Sequence, residues 1–399
     1  MIKAGLFISL TLLMLPFKAH AEPAPLDFIN QAVEIGGVTQ IVSLPSGYRL
    51  ELLTTQLAQP RMLSFGERDE LFIGSRSGHI YRLTPPYKTP TTLLRVSGYP
   101  HSVIQRDGRL FISRTDSVLS VEYSPGQEKL LAQDVIIYAD LPGGGGHNSR
   151  TLALGPDDRL YLSLGIQGNC TAQLLDDQVV FKHRRGGVMV LDETSQPPTW
   201  KAFASGLRNP VGFDWHPKTK VLYASNNGPD HLGYDLPPEY FSKLLPGSFH
   251  GMPWYQYDGH SIRRDTCAKG KAPRTINEVN VPVATFPARN APMGVVFIPP
   301  GAMDDTLNGD AVVASRGSWG TAPSGGSRGD RATRRPPKLV LVRFENDEAL
   351  RVDDLLIGFQ SENGDRWARP VGVAIGPDGN LYFTSDEHTN GLFRLTRDP

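Results

Sequence analysis

The sequence predicts an all-β protein, specifically a six-bladed β-propeller. Three observations support this fold class. A weak internal repeat with the signature of a β-hairpin occurs six times along the chain. The 41 glycines and 33 prolines among 399 residues exceed the usual share of both, which favours many short strands joined by tight turns. No amphipathic helical pattern is visible beyond a short one near 238–244.

Each repeat consists of an apolar run, a turn rich in Gly, Asp or Pro, and a second apolar run with an aliphatic or aromatic pair. Such a unit is typical of a β-hairpin. The turns include RDG at 106–108 and GPDG at 376–379. In chain order the paired runs are 62–65 with 71–73, 102–104 with 110–112, 152–154 with 160–162, 211–213 with 222–224, 294–297 with 311–313, and 372–375 with 381–383.

A single hairpin cannot bury both of its faces, so the six units must stack around an axis. We therefore expect residues 22–399 to form one propeller domain. The spacing of the repeats is irregular, which predicts long insertions at 226–290 and 316–340, after the second strands of the fourth and fifth repeats.

In a propeller, the residues before each inner strand and those after its hairpin partner share one face, where we expect the functional site. These positions hold Arg61, His101, His147, Arg208, Arg289 and Arg369 before the strands, and Arg76, Arg114, Gln167, Asn226–Pro229, Arg316 and Asp386 after the hairpins. A ring so rich in cations suits a compact anion with several carboxylates or phosphates. The alternative is that these arginines are ordinary solvent-exposed residues at strand ends.

The charge of the whole chain is balanced, with 41 basic and 41 acidic residues. A protein without net charge has no global field to attract polyanions. We therefore expect no nucleic-acid partner and no binding to a membrane through bulk charge.

Residues 1–21 read as a signal peptide. Lys3 supplies the positive end, residues 6–17 form the apolar stretch, and Ala19-His20-Ala21 is an A-x-A cleavage site. The alternative, a membrane anchor, is disfavoured because Pro16 interrupts a run that is shorter than the ~20 residues needed to span a bilayer. The sequence thus predicts a periplasmic or secreted protein with no stable membrane insertion.

The two cysteines, Cys170 and Cys267, form an even pair. In an oxidising compartment such a pair is expected to be bonded, and it would close a loop of roughly 100 residues, stabilising the fold by about 5 kcal/mol. Two buried free thiols are the alternative.

Several motifs carry a family resemblance. Residues 146–152 (GHNSRTL), with GPD at 155–157 and LYLSLG at 160–165, resemble the histidine-bearing blade of soluble pyrroloquinoline quinone-dependent aldose dehydrogenases. Residues 206–212 (GLRNPVG) resemble their Gly-x-Arg-Asn-Pro segment, and 227–230, 237–239 and 247–253 resemble the calcium segment that follows. The GSW motif at 317–319 is similar to that of the glucose/sorbosone branch. The motifs keep the family's order over roughly 40–396.

This resemblance implies an oxidoreductase that transfers a hydride from an aldose, or a related sugar or aldehyde, to the quinone. His147 would be the general base, a role that suits an imidazole near neutral pH. Arg208 would polarise the quinone oxygens, and Asn209 would assist by hydrogen bonding. Arg369 and Arg316 would pair with the cofactor carboxylates. His101, in the equivalent position of the preceding repeat, is predicted to line the cofactor site and is the alternative base.

The resemblance also implies calcium. The carbonyl groups of Gly228 and Pro229 would coordinate a Ca²⁺ ion that also binds the quinone, in keeping with the preference of this cation for oxygen ligands. Glu239 would mark a second calcium site; alternatively it opens a short helix after Pro237-Pro238. The chain lacks a haem-attachment C-x-x-C-H motif, so the electrons are expected to leave to a separate acceptor.

The sequence departs from the family pattern near the histidine. Gly146 and Ile166 stand where the glucose-oxidising branch has acidic residues, so an acidic partner for His147 is missing at both positions. Arg316 precedes the GSW motif in place of a histidine, and Gly320-Thr321 follow it without the usual arginine. These departures leave the substrate open.

Two other functions remain as alternatives. A calcium-dependent lactonase would need carboxylate and asparagine ligands from several blades, whereas the axial positions are mostly Arg and His. A non-catalytic propeller that binds a protein or a glycan would keep the repeat but has no need of His147, Arg208 and Gly228-Pro229 in one ring. The sequence contains neither a Gly-x-Ser-x-Gly elbow nor a dinucleotide fingerprint, which disfavours a serine hydrolase and a nicotinamide enzyme.

Overall fold

A computed structural model describes residues 23–398 of the chain. The predicted signal peptide lies outside the described residues. Six antiparallel sheets of four or five strands form the blades of a β-propeller, so the predicted fold class is confirmed. Each of the six hairpins expected from the repeat is the innermost strand pair of one blade.

The strands follow one another blade by blade. The chain begins with β1 (Phe28–Ile35), β2 (Val38–Pro45) and β3 (Tyr48–Thr54). Blade one contains β4 (Pro60–Phe65), β5 (Leu71–Ser75), β6 (His79–Leu83) and β7 (Thr91–Arg95). Blade two contains β8 (Ser102–Arg106), β9 (Arg109–Ser113), β10 (Ser117–Glu122) and β11 (Ile136–Asp140). Blade three contains β12 (Leu152–Leu154), β13 (Leu160–Leu164), β14 (Gly187–Asp192) and β15 (Thr199–Ser205).

Blade four contains β16 (Phe213–Trp215), β17 (Leu222–Asn226) and β18 (Glu239–Leu244), and its last strand is separated from them by β19 (Ser248–Phe249), β20 (Tyr255–Tyr257) and β21 (Ile262–Arg264). That last strand is β22 (Ala284–Phe286). Blade five contains β23 (Pro292–Phe297), β24 (Ala311–Ser315), β25 (Lys338–Glu345) and β26 (Glu348–Leu356). Blade six contains β27 (Pro370–Ile375), β28 (Leu381–Ser385) and β29 (Gly391–Arg397).

The ring is closed by hydrogen bonds between the two ends of the chain. Strand β3 completes blade six by pairing with β29, with Leu50 opposite Leu395. Arg394 adds an ion pair to Glu51, with 2.6 Å between Nη2 and Oε2. Because the first and last blade strands share one sheet, the six blades behave as a single closed unit.

Glycines on the inner strands let the blades approach one another at the axis. A Cβ atom on Gly294 would lie 2.6 Å from the carbonyl oxygen of Val371, and one on Gly372 would lie 2.5 Å from that of Arg61. The backbones of neighbouring inner strands are therefore too close for any side chain at these positions. This explains why glycine recurs at the start of the inner strand in the repeat.

Farther from the axis the blades are held together by apolar side chains. Between blades four and five, Tyr223, Phe241, Phe297 and Phe344 form an aromatic cluster, with Tyr223 and Phe297 in an edge contact whose ring centroids are 5.4 Å apart. Such contacts combine a large buried area with favourable ring geometry.

The helical pattern near 238–244 is a strand instead. Residues 239–244 form β18, the third strand of blade four, and among the described residues helical structure is limited to short 3₁₀ turns. The aromatic residues Tyr240 and Phe241 favour a strand, and packing against neighbouring blades buries both faces. The 3₁₀ turns are Glu67–Asp69, Ala132–Asp134, Phe181–His183, Ile276–Glu278, Asp305–Leu307 and Arg331–Thr333.

The insertion expected at 226–290 thus contains two strands of the blade itself. Between them, β19 adds to the edge of blade three in parallel with β15, and β20 pairs with β21 as a small separate hairpin. The segment from 226 to 290 therefore bridges blades three and four. The described part of the chain contains no helix long and apolar enough to cross a membrane.

Candidate functional site

The candidate site lies at the end of the propeller where the inner strands begin. Residues before an inner strand and residues after its hairpin partner meet there because the two strands are antiparallel: Pro60 pairs with Ser75, and Pro370 with Ser385. Hydrogen bonds between these positions run from blade to blade. Arg61 of blade one contacts Asp386 of blade six at 2.5 Å, and Asn227 of blade four donates to the Pro292 carbonyl group of blade five at 2.7 Å.

His147 occupies the loop that leads into blade three. Its Nδ1 atom lies 2.6 Å from the carbonyl oxygen of Ile166. A carbonyl oxygen can only accept, so Nδ1 carries the proton and Nε2 has a free lone pair. The backbone of His147 has a φ of 51°, a left-handed conformation that costs a non-glycine residue energy and that is frequent at functional sites.

Two buried arginines shape the loop that carries His147. Arg185 donates to the carbonyl groups of Gly144 (2.6 Å) and Gly146 (3.2 Å) and also to that of Gly165 (2.8 Å). Arg150 donates to the carbonyl group of His147 itself at 2.7 Å. Both side chains are fully buried, and neither forms an ion pair with a described carboxylate. Burial lowers the pKa of Arg150 to about 9 and that of Arg185 to about 10.

The pKa of His147 is lowered by burial and by nearby arginines. Burial, reinforced by the charge of Arg208 and then those of Arg185 and Arg150, lowers the pKa of His147 to about 4. The hydrogen bond to Ile166 opposes this shift but does not reverse it. The imidazole of His147 is therefore neutral at physiological pH, which is the form that can accept a proton.

His101 has different surroundings. Its side chain is 0% exposed, and Nε2 lies 3.2 Å from the hydroxyl group of Thr151, while Tyr99 stacks edge-on against the ring. Burial and the charges of Arg61 and Arg150 place the pKa of His101 well below its ordinary value. The structure thus packs His101 in the protein interior.

Arg208 lies between blades three and four. Its Nε atom donates to the carbonyl group of Asn169 at 3.0 Å, its Nη2 atom to the side-chain oxygen of the same residue at 2.9 Å, and its Nη1 atom to the carbonyl group of Asn227 at 3.3 Å. Asn169 precedes Cys170, which is bonded to Cys267. The expected disulfide is therefore confirmed, and it holds the loop that positions Arg208.

Asn209 meets His147 across a glycine. A Cβ atom on Gly165 would lie 2.7 Å from the Cβ atom of His147 and 2.6 Å from Oδ1 of Asn209. Only glycine leaves room for the two side chains to approach from opposite sides. The three predicted residues His147, Arg208 and Asn209 are thus brought together by the glycine at the end of β13.

The predicted calcium residues form an oxygen-rich group. Glu239, at the start of β18, is 4% exposed and accepts a hydrogen bond from the amide group of Gly228. Burial raises the pKa of Glu239 to about 7, against the opposing charge of Arg208. Among the described residues no hydrogen bond reaches the carbonyl groups of Gly228 or Pro229. Asp230 is held by Arg289 through both its side chain and its carbonyl group.

Arg316 and Arg369 already have carboxylate partners. One oxygen of Glu387 accepts from Nη2 of Arg316 at 2.6 Å and from Nη1 of Arg369 at 2.7 Å. Asp386 accepts from Arg316 at 2.9 Å as well as from Arg61. Burial alone would raise the pKa of both carboxyl groups, but the neighbouring arginines hold the pKa of each below its ordinary value. The cationic ring therefore contains two internal anions.

Four residues in the site were not predicted from the sequence, namely Arg150, Arg185, Asn169 and Glu387. Arg185 and Arg150 act on backbone carbonyl groups, which leave no sequence signature apart from the glycine run 143–146, whose carbonyl groups accept from Arg185. Asn169 had one signal, its position beside Cys170. Glu387 follows the predicted Asp386 directly, but its contact with Arg316 depends on how blade six packs against blade five.

Comparison with known proteins agrees with this architecture. The TrAA12-like family matches residues 42–239. An uncharacterized protein of Borreliella burgdorferi is 24% identical over 373 residues, covering 90% of this chain and 91% of its own length. The fold is similar to that of Trichoderma reesei Carbohydrate-Active Enzymes Family AA12, with a TM-score of 0.74 and 18% identity over 89% of this chain and 97% of that one.

Two solved structures with the cofactor are also similar. The holo form of the Pyranose Dehydrogenase PQQ domain from Coprinopsis cinerea has a TM-score of 0.68 at 18% identity, over 90% of this chain and 97% of that one. The PQQ-bound form of Aldose Sugar Dehydrogenase from Streptomyces coelicolor has a TM-score of 0.61 at 18% identity, over 89% of this chain and all of the other. The resemblance found in the sequence is confirmed by these neighbours.

Proposed function

We propose that this protein is a quinone-dependent dehydrogenase that oxidises an aldose or a related sugar or aldehyde. The observation that carries the proposal is the state of His147. Its imidazole is neutral, its Nδ1 proton is held by a backbone carbonyl group, and its Nε2 atom has no hydrogen-bond partner among the described residues, while the charges of Arg208, Arg185 and Arg150 act on the ring. A positioned, unprotonated imidazole beside arginines is an arrangement for removing a proton where negative charge develops.

The charge of the ring fits an anionic quinone such as pyrroloquinoline quinone. Four arginines belong to this part of the ring in blades one, five and six, namely Arg61, Arg316, Arg366 and Arg369. Among the described residues, Asp386 and Glu387 are the only carboxylates that form ion pairs with them. The pKa of Arg366 is lowered to about 9 by burial and then by Arg369, as expected for cations with too few counter-ions. Arg316 and Arg369 would hold cofactor carboxylates at this point.

The oxygens near β18 fit a calcium ion. Gly228 and Pro229 are buried residues whose carbonyl groups accept no hydrogen bond within the described part of the chain, and the buried carboxyl group of Glu239 accepts from the Gly228 amide group. Calcium prefers such a mixture of carbonyl and carboxylate oxygens. Gly228 and Pro229 would hold the ion, and Glu239 would add negative charge beside these two residues.

When bound, the quinone supplies the hydride acceptor. Nε2 of His147 would take the proton of the substrate hydroxyl group as the carbon–hydrogen bond breaks, with the hydride and its two electrons going to the bound quinone. Arg208, held by Asn169 and Asn227, would stabilise negative charge on the acceptor, and Asn209 would support it from the other side of Gly165.

The proposal extends to where the protein acts. Cleavage after Ala21 would export the mature chain to the periplasm or the medium, where the Cys170–Cys267 disulfide is stable. The electrons would pass to a separate acceptor.

The proposal is tested by titrating the purified apoprotein with pyrroloquinoline quinone and Ca²⁺. The cofactor spectrum reports binding, and dye reduction on a panel of aldoses and aldehydes reports turnover. We expect a saturable spectral change and substrate-dependent reduction. Binding without turnover on the whole panel would support a non-catalytic propeller, and the absence of any spectral change would contradict a quinone site.

A further inference from the structure

A second cavity, of about 290 Å³, lies outside the axial ring, in the insertion of blade four. Its walls come from the loop that precedes β18 and from the β20–β21 hairpin with the residues that follow it. This volume is near the lower end of the ~300–1,000 Å³ range of small-molecule sites. None of the residues considered above as catalytic, cofactor-binding or calcium ligands lines it.

The loop that lines this cavity also belongs to the axial site. At one end, Asp230 is bound by Arg289 and lies 3.8 Å from Arg208. At the other end, Glu239 accepts from the amide group of Gly228. Leu232, Leu236 and Pro237, between these ends, face the cavity. A molecule in the cavity would therefore sit across one loop from the axial residues.

Asp265 is the unusual group in the wall. Its side chain is more than nine-tenths buried, and its Oδ1 atom accepts from Nε2 of His231 at 2.8 Å and from the amide group of Cys267 at 2.7 Å. Its Oδ2 atom is buried and has no hydrogen-bond partner among the described residues. A buried carboxylate oxygen without a donor is costly, so it calls for a donor from outside the chain.

The residues that line the cavity indicate which kind of molecule could donate a hydrogen bond to Oδ2 of Asp265. The charges in the walls already have partners, since Arg263 pairs with Asp258 and His231 donates to Asp265, so the cavity offers no free counter-ion among the described residues to a cation or an anion. An apolar molecule would leave Oδ2 of Asp265 unsatisfied. A neutral molecule with hydroxyl groups satisfies the acceptor and the guanidinium donors together.

The cavity also offers an aliphatic surface. Leu232 and Leu236 are 43% and 42% exposed and both line the cavity, so together they present aliphatic surface to an occupant. The ring of a sugar has hydroxyl groups around its edge and apolar C–H groups on its faces. The combination of leucines, a carboxylate acceptor and guanidinium donors matches this pattern.

We infer that this cavity is a subsite for a neutral sugar unit, and that it binds the non-reacting unit of an oligosaccharide whose reacting end is at His147. Oδ2 of Asp265 accepts a hydrogen bond from a sugar hydroxyl group, and Leu232 and Leu236 cover one face of the ring. The part of this inference that concerns the reacting end rests on the proposed function. Binding of the sugar to the cavity does not.

The test uses two variants and a matched control. Asp265→Asn retains an oxygen for the amide group of Cys267 but places an NH₂ group where Oδ2 stood, so the acceptor becomes a donor. Leu236→Ser removes aliphatic surface from an exposed position, so it leaves the core intact. Leu245→Ser is the control because Leu245 is similarly exposed, at 46%, and does not line the cavity.

Two measurements separate the subsite from the catalytic proposal. Saturation-transfer NMR measures the binding of cellobiose, maltose and glucose to the apoprotein. Steady-state kinetics of the quinone-loaded enzyme measures KM for the same sugars. We expect Asp265→Asn and Leu236→Ser each to weaken disaccharide binding and to raise its KM by about ten-fold, the first through loss of one hydrogen bond to a charged group and the second through loss of aliphatic contact with the sugar ring. The KM for glucose and all properties of Leu245→Ser should match the wild type.

The subsite is refuted if the wild-type apoprotein binds neither disaccharide, or if both cavity variants bind them as the wild type does. Equal increases in KM for glucose and disaccharide would also overturn it, because they would place Asp265 at the reacting end. If the loaded enzyme oxidises no sugar, the proposed function fails, and the apoprotein titration still decides the subsite. Should Asp265→Asn fail to fold, Leu236→Ser carries the same test.

Discussion

Nδ1 of His147 donates its proton to the carbonyl group of Ile166, at 2.6 Å. Ile166 stands where the family that the sequence resembles has an acidic residue, so the backbone of this residue takes over the orienting role that a side chain would have. The carbonyl group fixes the tautomer, as a second partner of a functional histidine usually does. It cannot stabilise a positive imidazole as strongly as a carboxylate would.

His147→Ala should lower the rate of quinone-dependent sugar oxidation by ~10²–10⁴-fold, the usual loss on removing a general base. The weak partner of His147 places our expectation at the low end of this range. Quinone binding and the fold should be unchanged. Arg208→Ala should reduce both binding and rate, because Arg208 would contact the cofactor. Full turnover in His147→Ala, together with loss of turnover in His101→Ala, would show that the base is the other histidine.

The imidazole of His147 should titrate near pH 4 in the apoprotein, not near 6.5, because burial and Arg208 disfavour its charged form. Histidine resonances followed by NMR from pH 7 to 3.5, assigned by comparison with His147→Gln, measure this. Since the folded pKa is lowered, the unfolded chain binds more protons between pH 6.5 and about 4, so the contribution of His147 to stability is lost as pH falls through that window. A midpoint near 6.5 would mean that the ring is solvated.

Glu387→Gln should tighten quinone binding, on the order of ten-fold, because Glu387 occupies the arginines that cofactor carboxylates would use. Spectral titration of the apoprotein measures the affinity. Glu362→Gln is the matched control, as it removes the same charge from an exposed position without a described partner. Weaker binding in Glu387→Gln would identify Glu387 as a fixed part of the site, not a competitor.

Calcium and quinone should bind cooperatively, because the carbonyl groups of Gly228 and Pro229 would hold an ion that shares its coordination with the cofactor. Excess chelator should therefore weaken quinone binding, and added Ca²⁺ should restore it. Glu239→Gln should reduce the effect of Ca²⁺. Quinone affinity that is the same with and without chelator would argue against a shared site.

Thiol counting on the denatured, unreduced protein should find no free thiol, as Cys170 and Cys267 are bonded. Cys267→Ser should lower the free energy of unfolding by ~2–5 kcal/mol, measured in denaturant. It should also weaken quinone binding, because the bond holds Asn169 against Arg208. Replacing Asn169 by Ala should reproduce the loss of binding with a smaller loss of stability, which separates the two roles.

Much of the fold was predictable because its information is local. The six inner hairpins follow from apolar runs separated by turn residues, and each forms from neighbours in the chain. The outer strands of blade four were not predicted. Residues 239–244 pair with residues 284–286 across a long segment that contains three other short strands. A strand that pairs across such a distance has no periodic partner in the sequence, and its aromatic residues also fit a short buried helix.

The motifs propose members of a candidate site, whereas the contacts among those residues come from the structure. The proposed residues are His147, Arg208, Asn209, Gly228, Pro229 and Glu239, and the structure places them on adjacent blades. His101 is proposed for its equivalent position in the repeat, and its side chain is 0% exposed. Position in a repeat fixes the strand end at which a residue lies, whereas exposure depends on the neighbouring blades.

The sequence by itself determined that the chain closes into a ring of six hairpins with histidine and arginine at one end, because hydrophobic periodicity and turn chemistry act between residues close in the chain. Only the tertiary structure decided which partners those side chains have. Arg61 meets Asp386 across 325 positions because β3 and β29 close the ring, whereas Glu387 reaches Arg316 because blades five and six pack side by side. The tautomer of His147 depends on a backbone carbonyl group, which every residue type possesses, so the residue types in the sequence do not predict it.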